Sequence, residues 1–205
     1  RDHMPPSFDN TPHRCALLRP EYDVPSDRKI ILYAPTFRDE EKYNNVFDYL
    51  NLEDFNEALG DEYVLALRLH PKIKDFYKND ISSKGRYVDV SDFESEQELM
   101  LISDMLITDY SSIMIEYGVL NKPIIFFTYD LDSYLANERG FYYDFKQTVP
   151  GPIVLTCDEL IEVIKNDEFE KDEISKFIRT QFDAIDGEAS KRIVDFVLNK
   201  GGENG

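Results

Sequence analysis

The sequence predicts an α/β domain built on a doubly wound parallel sheet, and three observations carry that prediction. Short apolar, β-branched runs recur along the chain without the apolar-polar alternation of a half-exposed strand, as strands covered on both faces do. Segments of helical spacing stand between them, so the order is strand, helix, strand, which requires parallel neighbours joined by crossovers. Most runs also close on proline or polar residues, and the carboxyl ends of such strands border the ligand crevice.

The first strand is "KIILYA" (Lys29 to Ala34), closed by Pro35 and followed by "PTFRD". Leu52, Phe55 and Leu59 then recur at helical spacing, and Gly60 ends that helix. "YVLALRLH" is the second strand, "PKIKDFYK" a short helix opened by Pro71, "RYVDV" the third strand and "ESEQELMLIS" a helix. "DMLITD" and "KPIIFFTYD" are further strands, with a helix over Ser111 to Leu120 between them. After "PGP" at 150–152 the strand "IVLT" leads into helices at Asp158 to Lys165, Glu170 to Phe182 and Glu188 to Asn199, which close the same domain. The expected organisation is a lead-in over residues 1–20, one domain over 21–200 and a frayed tail over 201–205.

Composition narrows the function. The chain has 205 residues, enough for one sizeable core, and its formal net charge of −18 opposes docking on nucleic acid or an anionic membrane surface. That charge is uneven: Arg38 to Glu62 is strongly acidic, whereas "RLHPKIK" carries Arg68, His70, Lys72 and Lys74 and no acid. A basic island in an acidic chain is where an anion is tolerated. Cys15 and Cys157 lie far apart without metal-ligand spacing, and no carboxylates cluster in a way that demands a metal. A reducing, cytoplasmic setting is therefore expected. No apolar run reaches the roughly 18 residues needed to span a bilayer. No Walker A motif, GxGxxG, nucleophile elbow or HExxH is present.

Four strand ends point at one rim: Thr36, Arg38 and Asp39; Arg68 and His70; Thr108, Asp109, Tyr110, Ser111 and Ser112; Tyr129 and Asp130. Each has a plain structural reading beside a functional one. Ser111 or Ser112 is either an N-cap or a hydroxyl beside a phosphate held at a helix start. His70 is either structural or an acid-base group or phosphate ligand flanked by cations. Arg38 either balances nearby acids or offers a planar fork to phosphate oxygens. Asp109 orients its turn, and its distance from Glu116 is not fixed by the spacing. "ERGFYYDF" (Glu138 to Phe145) reads as a packed lid or as a wall for a base or sugar.

In their order, "ILYAPTFRD", "LRLHP", "ITDYSSIMIEY", "NKPIIFFTYDLDSY", "RGFYYDF" and "PGP" resemble the CDP-glycerol glycerophosphotransferase family, which builds poly(glycerol phosphate) and poly(ribitol phosphate) teichoic acids. The resemblance implies a Rossmann-like domain that is the C-terminal half of a GT-B fold, with a missing N-terminal GT-B domain supplying the other half of the cleft. It implies a transferase at the inner face of the cell membrane that moves glycerol phosphate or ribitol phosphate from CDP-glycerol or CDP-ribitol to a hydroxyl of a polymer or lipid-linked acceptor, releasing CMP. It implies no cofactor. By position it makes His70 the functional histidine and Ser111 and Ser112 the phosphate hydroxyls, and it adds Thr36, Arg38, Arg68, Thr108, Asp109, Glu116 and Arg139 as substrate-binding residues. Glu116 stands where the family pattern has Asp. Two other readings remain open: a GT-B glycosyltransferase using a nucleotide sugar, and a non-catalytic α/β interaction module.

Overall fold

The computed structural model describes residues 27–38, 41–72, 87–137, 145–167, 169–182 and 185–201. Within them six parallel strands form one sheet: β1 (Lys29–Tyr33), β2 (Tyr63–Leu67), β3 (Tyr87–Asp89), β4 (Met105–Thr108), β5 (Ile124–Phe127) and β6 (Ile153–Val154). Their order across the sheet is β3-β2-β1-β4-β5-β6. The chain winds outward through β2 and β3, returns past β1 and winds the other way, so the switch point lies between β1 and β4.

The strands are continuous apolar runs because both faces are covered. Ile31, Tyr33, Leu65, Leu67, Ile107 and Phe127 pack on one side against the helices α1 (Leu52–Leu59) and α6 (Cys157–Asn166). Ile30, Leu32, Val64, Leu106, Ile124 and Phe126 pack on the other against α2 (Glu96–Ile102) and α3 (Ile113–Gly118). The remaining helices are α4 (Leu131–Asn137), the single turn α5 (Phe145–Thr148), α7 (Lys171–Gln181) and α8 (Ala189–Gly201).

Local chemistry sets the helix boundaries. Asn51, Ser95 and Thr156 accept first-turn N–H groups of α1, α2 and α6, and Glu159 returns the bond at Thr156 to complete a capping box. Helix α7 lies on α3 through Ile174, Phe177 and Ile178. Gly118 permits that approach, since a Cβ there would come within 2.6 Å of Ile178 Cδ1. Helix α8 exposes Ile193, Val194, Val197 and Leu198 by more than half of their surface. No helix among the described residues is long and apolar enough to cross a membrane.

The structure shortens several expected elements, three of them beside the site. The β2 ladder ends at Leu67, and after a last rung from Arg68 N–H to the Tyr33 carbonyl (2.9 Å) the chain through His70 leaves the sheet. The helix after β4 begins at Ile113 and is only six residues long. "KPIIFFTYD" is a strand over Ile124–Phe127 only, because the next residues turn into α4, which the apolar pattern did not anticipate. Two 3-10 turns, Glu41–Tyr43 and Val46–Asp48, fill the acidic stretch before α1. Most of "PKIKDFYK", residues 1–20 with Cys15, Arg139 and most of "RGFYYDF" lie outside the described residues.

Candidate functional site

At the carboxyl ends of β1, β2 and β4, beside the switch point, lies a cleft of about 230 Å³. Ala34, Pro35, Arg68, His70, Ser91, Glu96 and Ser111 are among the residues that line it. Three of the sequence candidates, Arg68, His70 and Ser111, therefore come together from segments that are remote along the chain.

His70 is exposed just beyond β2, and the backbone N–H of Lys72 donates to its Nδ1 at 3.2 Å. With Nδ1 accepting, a neutral His70 carries its proton on Nε2 and presents a donor. Phe37 packs against the imidazole with ring centroids 5.4 Å apart, and the Lys72 ammonium sits 4.8 Å from the Phe37 centroid. Arg68 is half-buried, and its Nη1 donates to the Phe93 carbonyl at 2.9 Å, tying the β3–α2 loop to the cleft while its charge stays at the rim. The same loop is held by Ser91, whose Oγ accepts from Leu69 N–H at 2.9 Å.

The two serines part company. Ser111 Oγ accepts from Ile113 N–H at 3.3 Å, a short turn bond, whereas the Ser112 side chain makes no capping bond and is exposed. Helix α3 has only six residues, so little of the anion attraction expected of a helix start comes from aligned peptides.

A second group of candidates is built into the fold. Arg38 is 1 % exposed, and its guanidinium is taken up by Asp130 (Nε to Oδ2, 2.5 Å), Asp109 (Nη2 to Oδ2, 2.9 Å) and the Thr36 carbonyl (Nη1, 2.6 Å). The reading of Arg38 as a fork for a ligand's phosphate is therefore corrected: its fork holds two carboxylates, which keep the guanidinium pKa above its ordinary value although burial alone acts downward. Asp109 also accepts from the Thr36 N–H and hydroxyl and from Tyr110 N–H, so it orients its turn, as the sequence implied. Thr108 is buried, and its hydroxyl donates to the Ala34 carbonyl at 2.9 Å, tying β4 to β1. Thr36, Arg38, Thr108 and Asp109 thus shape the rim from behind rather than lining the cleft.

Aromatic rings enclose this ion-pair knot. The Arg38 guanidinium lies 4.8 Å from the Tyr110 centroid and 5.7 Å from that of Tyr129. Tyr110 stacks on Tyr134 at 3.6 Å and Tyr129 on Tyr49 at 4.0 Å. Burial is the first cause that pushes the Tyr110 and Tyr129 phenols well above their ordinary pKa. Glu116, exposed on α3, has its pKa raised by partial burial and then by the charge of Glu96.

Ser91 and Glu96 were missed as site residues, whereas Asp130, named among the strand-end residues, belongs to the ion-pair knot. Ser91 stands just beyond β3, so the strand-end rule that found His70 reaches it too. Glu96 opens a helix, where an acid is ordinary, and nothing in its local sequence marks it. Among the described residues no three His, Cys, Asp or Glu side chains gather as a metal site would require.

The family model described as CDP-Glycerol:Poly(glycerophosphate) glycerophosphotransferase matches residues 6–199. The chain is 40 % identical over 187 residues to a teichoic acid poly(ribitol-phosphate) polymerase of Bacillus spizizenii, covering 88 % of this chain and 29 % of that protein. It is also 40 % identical over 199 residues to a teichoic acid glycerol-phosphate transferase of Staphylococcus aureus, covering 88 % and 48 %. The solved wall teichoic acid polymerase TagF, soaked with CDPG, superposes with a TM-score of 0.75 at 37 % identity, over 96 % of this chain and 48 % of that one. The chain thus spans less than half the length of these relatives. A switch-point cleft lined by Arg68, His70 and Ser111, on a fold shared with TagF and inside a family match over nearly the whole chain, leads to one conclusion: the chain belongs to the CDP-glycerol:poly(glycerophosphate) glycerophosphotransferase family.

Proposed function

We propose that this chain is the donor-binding domain of a transferase that moves glycerol phosphate or ribitol phosphate from a CDP-alditol to a hydroxyl of a growing teichoic-acid polymer. In that reaction the acceptor oxygen bonds to the β-phosphorus, the bond from that phosphorus to CMP breaks, and the hydroxyl proton passes to a base. The observation that carries the reading is the cleft itself, which gathers Arg68, His70 and Ser111 at the switch point of a sheet whose family acts on such donors.

Phosphoryl transfer needs positioning and neutralisation of charge more than covalent help. Arg68 supplies a fixed positive charge at the rim. His70, with Nδ1 engaged by Lys72 N–H, offers Nε2–H to a phosphate oxygen or to the departing CMP oxygen. That tautomer makes it a donor, so the base that receives the acceptor proton is assigned elsewhere. Ser111 and Ser112 add hydroxyl donors beside the same helix start.

We assign the second wall of the cleft, and the base, to the further length that the relatives have. We place the enzyme on the cytoplasmic face of the membrane, where nucleotide donors are made. Calorimetric titration of this chain with CDP, CDP-glycerol, CDP-ribitol, UDP and UDP-GlcNAc tests the proposal. Weak binding that prefers the cytidine ligands, without turnover, is expected; tighter binding of UDP-GlcNAc, or no nucleotide binding at all, overturns it.

A further inference from the structure

Among the described residues Glu96 is the one carboxylate lining the cleft, where the other polar side chains, Arg68, His70, Ser91 and Ser111, are cations or can donate. It is half-buried, and among the described residues its side chain makes no hydrogen bond or ion pair, although Arg68 and His70 border the same space. As the first residue of α2 it lies beside the free first-turn N–H groups, where an acid is ordinary. That placement does not account for a carboxylate that borders a ligand cleft with its acceptors unspent. A diphosphate brought against this side chain would be repelled, so its ligand has to be neutral and rich in donors.

We infer that Glu96 is a specificity residue, whose two oxygens accept hydrogen bonds from a pair of vicinal hydroxyls on the donor substrate while the cationic groups of the same cleft take its diphosphate. This inference rests on the CDP-alditol reading above. A carboxylate matches a vicinal diol because its two oxygens are fixed in one plane, and bonds to a charged acceptor are the stronger kind. Glu116 on α3 does not line the cleft, but its carboxyl pKa, raised first by burial and then by the Glu96 charge, places a second acid within reach of Glu96. Ribose and alditol both carry such hydroxyls.

The test is calorimetry of the wild-type chain, Glu96→Ala and Glu96→Gln with pyrophosphate, CDP, 2′-deoxy-CDP and CDP-glycerol, with thermal unfolding to confirm that each variant is folded. Glu96→Ala is expected to weaken the diol ligand by about tenfold or more, the scale of a lost charge-assisted hydrogen bond. Pyrophosphate affinity should hold or rise, because a repelling charge is gone. Glu96→Gln, which keeps one acceptor, should fall between. If the ribose is read, CDP and CDP-glycerol weaken together and 2′-deoxy-CDP is already weak in the wild type. If the alditol is read, CDP-glycerol alone weakens. Equal shifts for all four ligands, or no shift, overturn the role of Glu96 while leaving the donor reading standing. Failure of the wild-type chain to bind any cytidine ligand overturns both.

Discussion

Two flanks of the same rim, both made of polar strand-end residues, do opposite things. On the β1, β4 and β5 side, Arg38, Asp109 and Asp130 are each no more than 5 % exposed and answer one another's charges under a roof of tyrosines. On the β2 side, His70 is exposed, Arg68 is half-buried, and the charges face a cleft. The difference lies in where partners are found. A guanidinium with two carboxylates in reach is consumed by the fold, whereas a histidine beyond the end of the ladder, with one ring nitrogen tied to the backbone, keeps the other for a ligand.

Breaking the closed flank should have the largest effect. Arg38→Ala leaves Asp109 and Asp130 buried without a counter-charge and should lower stability by about 3 to 5 kcal/mol in urea denaturation. Arg38→Lys should recover only part of this, because one ammonium cannot bridge both acids as the fork does. A loss below about 1 kcal/mol would mean that the knot is not closed in solution.

The same flank predicts an alkaline limit. Tyr33, Tyr110 and Tyr129 have phenol pKa values raised above the ordinary value, with burial the first cause in each. The folded state therefore holds protons that the unfolded state releases above about pH 10, so the stability present below that pH is lost as pH rises. Each such phenol contributes about 1.4 kcal/mol per pH unit beyond that point. Absorbance titration should show the exposed tyrosines ionising first and these three only as the chain unfolds. Smooth ionisation of all tyrosines near pH 10, without unfolding, would show that the flank is open.

The open flank should behave the other way. His70→Ala is expected to change stability by about 0.5 kcal/mol or less, as exposed substitutions do, and to weaken CDP-glycerol binding by about 1.5 to 3 kcal/mol. His70→Gln, which can still present an N–H, should bind more tightly than His70→Ala. Equal affinity in wild type and both variants would make His70 structural and dissolve the contrast.

The smallest effects separate the serines. Ser111→Ala removes the acceptor for Ile113 N–H and should cost roughly 0.5 to 1 kcal/mol of stability, toward the lower end for a cap. Ser112→Ala should cost little stability, because its side chain makes no such bond, while weakening diphosphate binding by about 1 kcal/mol. A stability loss at Ser112 without a change in binding would return it to a capping role.

The sequence by itself determined the architecture and the place of the cleft. Buried parallel strands announce themselves as continuous apolar runs because both faces must leave water, and the alternation with helices then permits few topologies. Motif spacing was also enough to bring Arg68, His70 and Ser111 to one rim. Only the tertiary structure decided which polar residues remained available. Arg38 and His70 look equally eligible as strand-end groups, yet Asp130 lies 92 residues from Arg38 along the chain and reaches it only when β5 takes its place beyond β4. Glu96 likewise reads as an ordinary helix-opening acid until α2 packs beside the switch point and turns it toward the cleft. Burial and charge pairing are properties of neighbours in space, so local sequence prescribes a side chain's chemistry but not whether the fold leaves that chemistry free.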